Sequence, residues 1–429
     1  MNALKVTLVC QWYPPEPVSQ PVWIVDALRD QGLDVEVLTG VPNYPTGRVG
    51  EGYRARDRRS ETIAGTTVHR TPLYPDHGSG SARRILNYVS WAVSSAVLGQ
   101  RHLRSADAAL VYSSPATAAL AAMVARRRHG VPYVLLVQDV WPDSIFASGF
   151  LPGRTGRLAE ALVGRFVDRT YRDAAHVVVI SPGMADLLAS RGVPRDTITV
   201  VPNWIGDIDT VETAGEVDDA PATDLRHDLG LTADDFLLMY AGNHGSAQAL
   251  DSVIEGFGRL APGERSHLVL VGDGAEKEPL RALARKVCPD RVHFVEPQPR
   301  AAMAGLMAQA DAQLVSLARR PLFAVTTPSK LQSVMAAGHP VLVSAEGDAA
   351  ETVRAADAGV AATPGDPDSL AAAVRALRTL SPDARRRLGR NGRDYYAATM
   401  SETIGASRLA ATLRRAAGRA TDREKEPAT

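Results

Sequence analysis

Short, continuous apolar runs alternate with amphipathic stretches through most of this chain. In the first half the runs are Val6–Cys10, Val35–Leu38, Ala108–Tyr112, Tyr133–Val137, Val177–Ile180 and Ile198–Val201. In the second half they are Phe236–Tyr240, Leu268–Val271, Val292–Val295, Ala312–Val315 and Val341–Val343. Between them lie stretches of helical period such as Trp23–Arg29, Ala116–Arg128 and Ser252–Leu260. Apolar strands without polar alternation must be covered on both faces, which predicts parallel sheets flanked by helices. The fold class is therefore α/β, with two doubly wound, Rossmann-like domains facing each other across a cleft. Their ligand edges are expected at the strand carboxyl ends.

Residues 206–225 break the pattern, being rich in Asp, Ala, Thr and Glu with no apolar period. They read as a linker. Residues 1–205 then form a first domain and 226–384 a second. Residues 385–415 should be helices packing back on the first domain, and 416–429 a flexible tail.

Composition narrows the functional classes. The 429 residues suit two or three domains with their own cores. Forty-eight basic and 48 acidic residues cancel, with no large block of either sign, so strong electrostatic attraction to nucleic acid is not expected. Cys10 and Cys288 are far apart and form no metal-ligand spacing. A reduced, cytoplasmic protein is the simplest reading. The N-terminal segment enters a strand at Lys5 without the pattern of a signal peptide. Ile85–Leu98 is the most apolar helical candidate, too short to span a bilayer and interrupted by Asn87, Ser90, Ser94 and Ser95. It reads either as a helix covering a sheet or, with Arg83, Arg84 and Trp91, as a helix lying on a membrane surface.

The chemistry concentrates at strand-to-helix turns. In Pro321–Pro340, Thr327 suits an N-cap, Pro328 the first helical position, and Gly338 the helix stop. Lys330 falls in that first turn, where it opposes the helix dipole unless an anion binds there. Only five of the 48 basic residues are lysine, so a lysine here suggests a compact point charge. The other reading of Lys330 is an exposed surface residue. Gly242, Asn243, His244 and Gly245 form a second such turn, able to bind phosphate oxygens through backbone N–H groups; His244 is otherwise a solvated loop residue. Gly272, Asp273 and Gly274 form a third, short of the full dinucleotide fingerprint because Glu278 and Pro279 follow Lys277.

In the first half, Asp139 ends an apolar strand and either positions an acceptor nucleophile and takes its proton or caps a helix. Pro142 and Asp143 begin the next segment. The loops bearing Trp12, Tyr13 and Glu16, and Asn43 and Tyr44, could wall a pocket or serve as plain proline turns. Asp207 and Asp209 match a D-x-D metal motif but open the linker, and read as solvated charge.

Taken in order, Tyr13-Pro-Pro-Glu-Pro, Pro42-Asn-Tyr-Pro-Thr-Gly, Asp139-Val-Trp-Pro-Asp, Val201-Pro-Asn-Trp, Tyr240-Ala-Gly-Asn, Val271-Gly-Asp-Gly, Pro328-Ser-Lys and Ala337-Gly-His-Pro resemble the retaining family 4 glycosyltransferases of GT-B fold. The nearest subgroup resembles bacterial N-acetyl-fucosamine transferases of surface-polysaccharide synthesis. The resemblance implies sugar transfer from a nucleotide-sugar, most simply a UDP-sugar, without a metal or other cofactor. The acceptor would be a small natural product or a lipid-linked glycan. Catalytic roles fall to Asp139 and Lys330. The donor set is Gly242, Asn243, His244, Gln248, Gly272, Asp273, Gly274, Gln298, Thr327, Ser329, Lys330 and Ser333, with Arg319 and Arg320 in reserve. The acceptor set is Tyr13, Glu16, Asn43, Tyr44 and Trp141. Partners would be the two substrates, with weak peripheral membrane contact and no nucleic acid.

Three positions depart from the family pattern. Val18-Ser-Gln20 replaces a glycine pair, Asn243 and Gln248 replace Arg and Lys, and Val325 and Ser333 replace a Glu-x7-Glu pair. Rival readings follow: a GDP-sugar-dependent transferase with an unusual acceptor such as a thiol, a nucleotide-sugar epimerase, or a non-catalytic nucleotide-sugar-binding partner.

Overall fold

The computed structural model describes residues 3–76, 81–141, 153–206, 224–261 and 263–423. The chain divides into two compact units: residues 1–203 with 402–429, and residues 204–401.

The first unit contains β1 (Lys5–Val9), α1 (Gln20–Asp30), β2 (Asp34–Gly40), β3 (Arg59–Ile63), β4 (Thr66–Thr71), α2 (Ser81–Leu98), α3 (Gln100–Leu103) and β5 (Ala108–Ser113). It continues through α4 (Ala119–His129), β6 (Tyr133–Val137), α5 (Gly153–Asp173), β7 (His176–Val179), α6 (Pro182–Ser190) and β8 (Ile198–Val200). The sheet order is β3-β4-β2-β1-β5-β6-β7-β8, parallel except for β3 against β4. β1 is followed in sequence by β2 on one side and flanked by β5 on the other, so the strand order reverses between β1 and β5. Every residue of β6 is buried, as its unbroken apolar run requires.

β3 and β4 carried no apolar signal and were not expected. β3 reads Arg-Ser-Glu-Thr-Ile and lies at the sheet edge. β4 buries polar side chains instead: Arg70 is 1% exposed and is satisfied by Glu61, the Gly40 carbonyl at 2.9 Å and the Pro14 carbonyl. The turn between them is Ala64-Gly65, both at positive φ, the two-residue hairpin geometry that matches strand twist.

The second unit contains α7 (Leu225–Asp228), β9 (Phe236–Ala241), α8 (Leu250–Gly258), β10 (Ser266–Val271), α9 (Lys277–Val287), β11 (Val292–Val295), α10 (Arg300–Ala308) and β12 (Ala312–Ser316). It continues through α11 (Pro321–Ala324), α12 (Ser329–Ala336), β13 (Val341–Ser344), α13 (Asp348–Ala355), β14 (Gly359–Ala362), α14 (Pro367–Thr379) and α15 (Pro382–Thr399). The parallel order is β11-β10-β9-β12-β13-β14. Alternate residues of one strand serve opposite faces. Leu238 and Leu268 pack with Val253, Phe257, Leu280 and Val374 on one side; Leu237, Met239, Val269 and Val271 pack with Leu225 and Leu306 on the other. Removing a fully buried ring such as Phe257 should cost about 3–5 kcal/mol. β14 is a further unexpected strand, its Gly-Val-Ala-Ala too small and short to signal one.

The final helix, α16 (Glu402–Arg423), belongs to the first unit. It packs on α1, burying Leu409, Ala410, Leu413 and Ala416, and Arg414 donates to the Gln31 carbonyl at 2.7 Å. Of residues 385–415, expected to pack back on the first domain, 402–415 do so and 385–401 do not. α15 stays with the second unit against α12, because Gly389 and Gly392 let its backbone approach Gly338 and Ala358. Residues 416–423, expected to fray, continue α16, and Ala416 is fully buried. Asp207, Asp209 and most of the expected linker, with Pro142 and Asp143, lie outside the described residues.

Candidate functional site

In the second unit the strand order reverses between β9 and β12. Their pairing is confined to Ala312 with Leu238 and Gln313 with Met239, so the carboxyl ends are unladdered. A pocket of about 200 Å³ opens there. Open α/β sheets bind ligands at this kind of switch point. Tyr240, Gly242, Asn243 and Gln248 line it from the β9 side. Val315, Ser316 and Leu317 line it from β12, and Pro328, Ser329 and Lys330 from the start of α12.

α12 begins one residue later than its sequence suggested. Pro328, with extended ψ of 140°, occupies the cap, and Thr327 is buried. Lys330 is still in the first turn. Its Nζ donates to the Ala241 carbonyl and stands 3.4 Å from the Tyr240 ring centroid, a cation–π contact. Among the described residues no carboxylate pairs with it. Burial pulls its ammonium down from 10.5 to about 7. A Cβ on Gly242, which has φ of +145°, would lie 2.7 Å from this Nζ. The glycine therefore makes room for the cation.

The β9–α8 loop is held by its own polar groups. Gln248 Oε1 accepts from the Gly245 amide at 3.2 Å, and its carbonyl accepts from Ser316 Oγ at 2.6 Å. The Ala318 amide donates to the Ala247 carbonyl at 2.8 Å. Tyr240 donates its hydroxyl to the Asn243 carbonyl at 2.8 Å. Ala249 follows at φ of +45°, a conformation that costs a non-glycine residue roughly 1–2 kcal/mol.

Several expected donor residues lie elsewhere. Gly272 and Gly274 do not line the pocket; a Cβ on either would strike the backbone of Gly242 or His244. The glycines let two loops interlock, through His244 N–H to the Asp273 carbonyl at 2.7 Å and Glu276 N–H to the His244 carbonyl at 2.9 Å. His244 is 0% exposed, neither solvated nor lining the pocket, and packs near Tyr240 and Phe294; burial lowers its pKa, so the ring is neutral. Gln298 donates to the Glu296 carbonyl at 3.0 Å, and Asp273 caps its own turn at the Gly274 amide. Ser333 turns back to the Ser329 carbonyl at 3.2 Å and does not line the pocket, although it is three residues from Lys330. Arg319 pairs with Glu346 at 2.9 Å. Tyr240 and Ser316 were missed: in sequence each is one more residue of an apolar strand.

In the first unit the switch point lies between β1 and β5. The loops after β1 and β2 enclose about 170 Å³ lined by Pro15, Glu16, Asn43, Tyr44 and Arg48 among others. Glu16, 5% exposed, ties the two loops together. Its Oε1 accepts from the Asn43 and Tyr44 amides at 2.8 Å each and its Oε2 from the Tyr13 amide at 3.1 Å. Burial raises it to about 6, against the lowering effect of these N–H groups. Asn43 is buried and accepts from Asn87 of α2 at 3.0 Å; Asn87 in turn accepts from Gln11 at 2.6 Å. Tyr13 is buried and does not line the pocket.

An aromatic row runs beside it. Trp12 meets Tyr44 at 5.3 Å and Tyr88 at 6.2 Å between centroids, and Tyr88 meets Trp141 at 6.3 Å. Asp139, exposed between buried Gln138 and Val140 just after β6, accepts from Ser114 Oγ at 3.0 Å. Its surface reaches solvent, yet the protein crowded around it raises its pKa, and the Ser114 hydroxyl partly offsets this. Among the described residues no group of three or more His, Cys, Asp or Glu is placed to hold a metal ion.

Two Rossmann-like units in one chain, each with its loops gathered at the carboxyl edge of a parallel sheet, define a GT-B fold. Residues 20–204 match the glycosyl transferase 4-like domain and residues 222–395 match glycosyl transferases group 1. The chain is 30% identical over 331 residues to the "Putative colanic acid biosynthesis glycosyl transferase WcaI" of Escherichia coli K12, covering 75% of this chain and 78% of that one. It is 28% identical over 276 residues to the lipopolysaccharide core biosynthesis glycosyltransferase LpsD of Rhizobium meliloti, covering 62% and 74%. Among solved structures it is similar to Anabaena Alr3699/HepE in complex with UDP-glucose, with a TM-score of 0.65, 16% identity and coverage of 96% and 100%. At that identity the likeness concerns the fold. The chain belongs to this family of glycosyl transferases.

Proposed function

We propose that the protein is a retaining glycosyltransferase that passes a sugar from a UDP-sugar to a lipid-linked glycan without a metal ion. The observation that carries this reading is the Lys330 ammonium at the β9–β12 switch point, poorly solvated and without a carboxylate partner among the described residues. A departing diphosphate supplies the anion that such a cation lacks, and charge-assisted contact there stabilises the leaving group. Gly242, Asn243, Gln248 and Ser329 would frame the donor beside it. In the reaction the bond from the anomeric carbon to the diphosphate oxygen breaks and a bond to the acceptor oxygen forms. The acceptor's proton goes to Asp139, whose carboxylate burial makes more basic than a solvated one.

UDP is favoured by the likeness to a fold solved with UDP-glucose. A lipid-linked or polysaccharide acceptor is favoured over a small natural product because relatives carry names from colanic acid and lipopolysaccharide core biosynthesis. Resemblance to N-acetyl-fucosamine transferases suggests a deoxy amino sugar.

Calorimetry with UDP and GDP, followed by transfer of a labelled sugar from the matching nucleotide-sugars after exhaustive chelation, tests the reading. UDP should bind and transfer should persist. Tight GDP binding with none for UDP would overturn the donor assignment, and activity restored only by manganese would overturn the metal-free mechanism.

A further inference from the structure

One surface of the first unit is left over by this chemistry. α2 buries Asn87, Trp91 and Ser95 against the sheet side, while Ile85, Leu86, Val89, Val93 and Val97 stand 37%, 48%, 44%, 52% and 66% exposed. The helical spacing of Leu86, Val89, Val93 and Val97 places these side chains on one stripe. A contiguous aliphatic stripe open to water usually marks an interaction surface. Its charge is one-sided as well. Residues 81–104 contain four arginines and no aspartate or glutamate, with Arg83 exposed at one end of the stripe and Arg101 and Arg104 exposed at the other.

The geometry points to α2 and α3 as a docking surface for a bilayer bearing anionic headgroups. The aliphatic stripe would enter the acyl boundary and the flanking arginines would meet the headgroups, the division of labour of an interfacial helix. No described helix is long and apolar enough to cross a membrane, so insertion stops at the surface. Charge decides between occupants. A second copy of this chain would set Arg83, Arg101 and Arg104 against their like, whereas an anionic surface gains roughly fivefold in partitioning per arginine.

The same helix reaches the acceptor pocket. Asn87 bonds Asn43, and Tyr88 stands beside Trp12 and Trp141. A helix lying on the bilayer would hold the pocket where a lipid-linked acceptor emerges; this purpose rests on the acceptor reading above, whereas the surface stands on the exposed stripe and its charge.

The test is co-sedimentation of the full chain with vesicles of phosphatidylcholine alone or with about one-third phosphatidylglycerol, at low and high salt. Wild type should bind the anionic vesicles and release at high salt. Val93→Asp with Val97→Asp should reduce binding at least tenfold, and the milder Val93→Ser with Val97→Ser should reduce it less. Arg101→Gln with Arg104→Gln should reduce binding to anionic vesicles by roughly 25-fold. UDP binding by the same proteins separates the two readings: variants that bind UDP normally are folded. Wild type that binds UDP but no vesicle overturns the docking surface alone. Undiminished vesicle binding by the Val93 and Val97 variants also overturns it, as does concentration-dependent dimerisation abolished by them.

Discussion

Replacing Lys330 by methionine keeps an aliphatic stem on Tyr240 and removes the charge. If the ammonium meets the diphosphate, a contact worth about 1.5–3 kcal/mol is lost, or roughly 10- to 150-fold in UDP affinity. The pH dependence is more diagnostic. Burial places the free amine near pKa 7, and a bound diphosphate must hold it protonated. UDP affinity should therefore be level below that value and fall above it, by about fifty-fold from pH 7 to pH 9. Near pH 8 close to one proton should be taken up per UDP, read from calorimetry in buffers of different ionisation enthalpy. Lys330→Met should flatten this profile. Stability moves the opposite way. An amine whose native pKa lies below its unfolded value binds fewer protons when folded, so the native protein gains stability as pH rises from about 7 toward 10.5. Below that window the desolvated ammonium costs about 3–5 kcal/mol before its carbonyl and ring contacts are lost with it. Lys330→Met should recover about 1–3 kcal/mol at pH 6 in denaturant titration. A pH-independent UDP affinity with no proton uptake would refute the reasoning.

Asp139→Asn should lower transfer about 10²–10⁴-fold to an alcohol acceptor with UDP affinity unchanged. Ser114→Ala removes the hydrogen bond that lowers the Asp139 pKa, so the acid limb of the rate profile should move to higher pH; an unmoved limb argues against Asp139 as the base. Glu16→Gln replaces an acceptor of three amides with a group carrying its own donors and should cost about 1–3 kcal/mol at neutral pH. Because the Glu16 pKa is raised on folding, its favourable contribution is complete below 4.5 and is lost as pH rises through about 6; the variant should lack that slope in thermal melts. Ala249→Gly should relieve left-handed strain and stabilise by about 0.5–1 kcal/mol, seen as a raised Tm.

The two-sheet architecture was legible because strands covered on both faces leave unbroken apolar runs. β3 and β4 were not, because β3 lies at the sheet edge and β4 buries Arg70 on a half-buried Glu61 rather than an apolar run. Lys330, Gly242 and Asn243 were singled out from turn chemistry at strand ends and Gln248 from the family pattern, and all four line the β9–β12 pocket. The same logic grouped Gly272 and Gly274 with them, whereas these two meet a neighbouring loop; a glycine that admits a ligand and one that admits a loop look alike in sequence. His244, expected either in the donor set or as a solvated loop residue, is buried because the loop beside it closes over the ring. Ser333 lies off the pocket lining because helical spacing from Lys330 fixes only an approximate face, and its hydroxyl bonds its own helix.

A crystal structure of the protein with UDP tests the central claim most directly. The diphosphate should lie at the carboxyl ends of β9 and β12, with an oxygen in hydrogen-bond reach of Lys330 Nζ and the Ala241 carbonyl released from it. UDP bound at the Gly272–Gly274 turn, or anywhere that leaves Lys330 on Ala241, would contradict it.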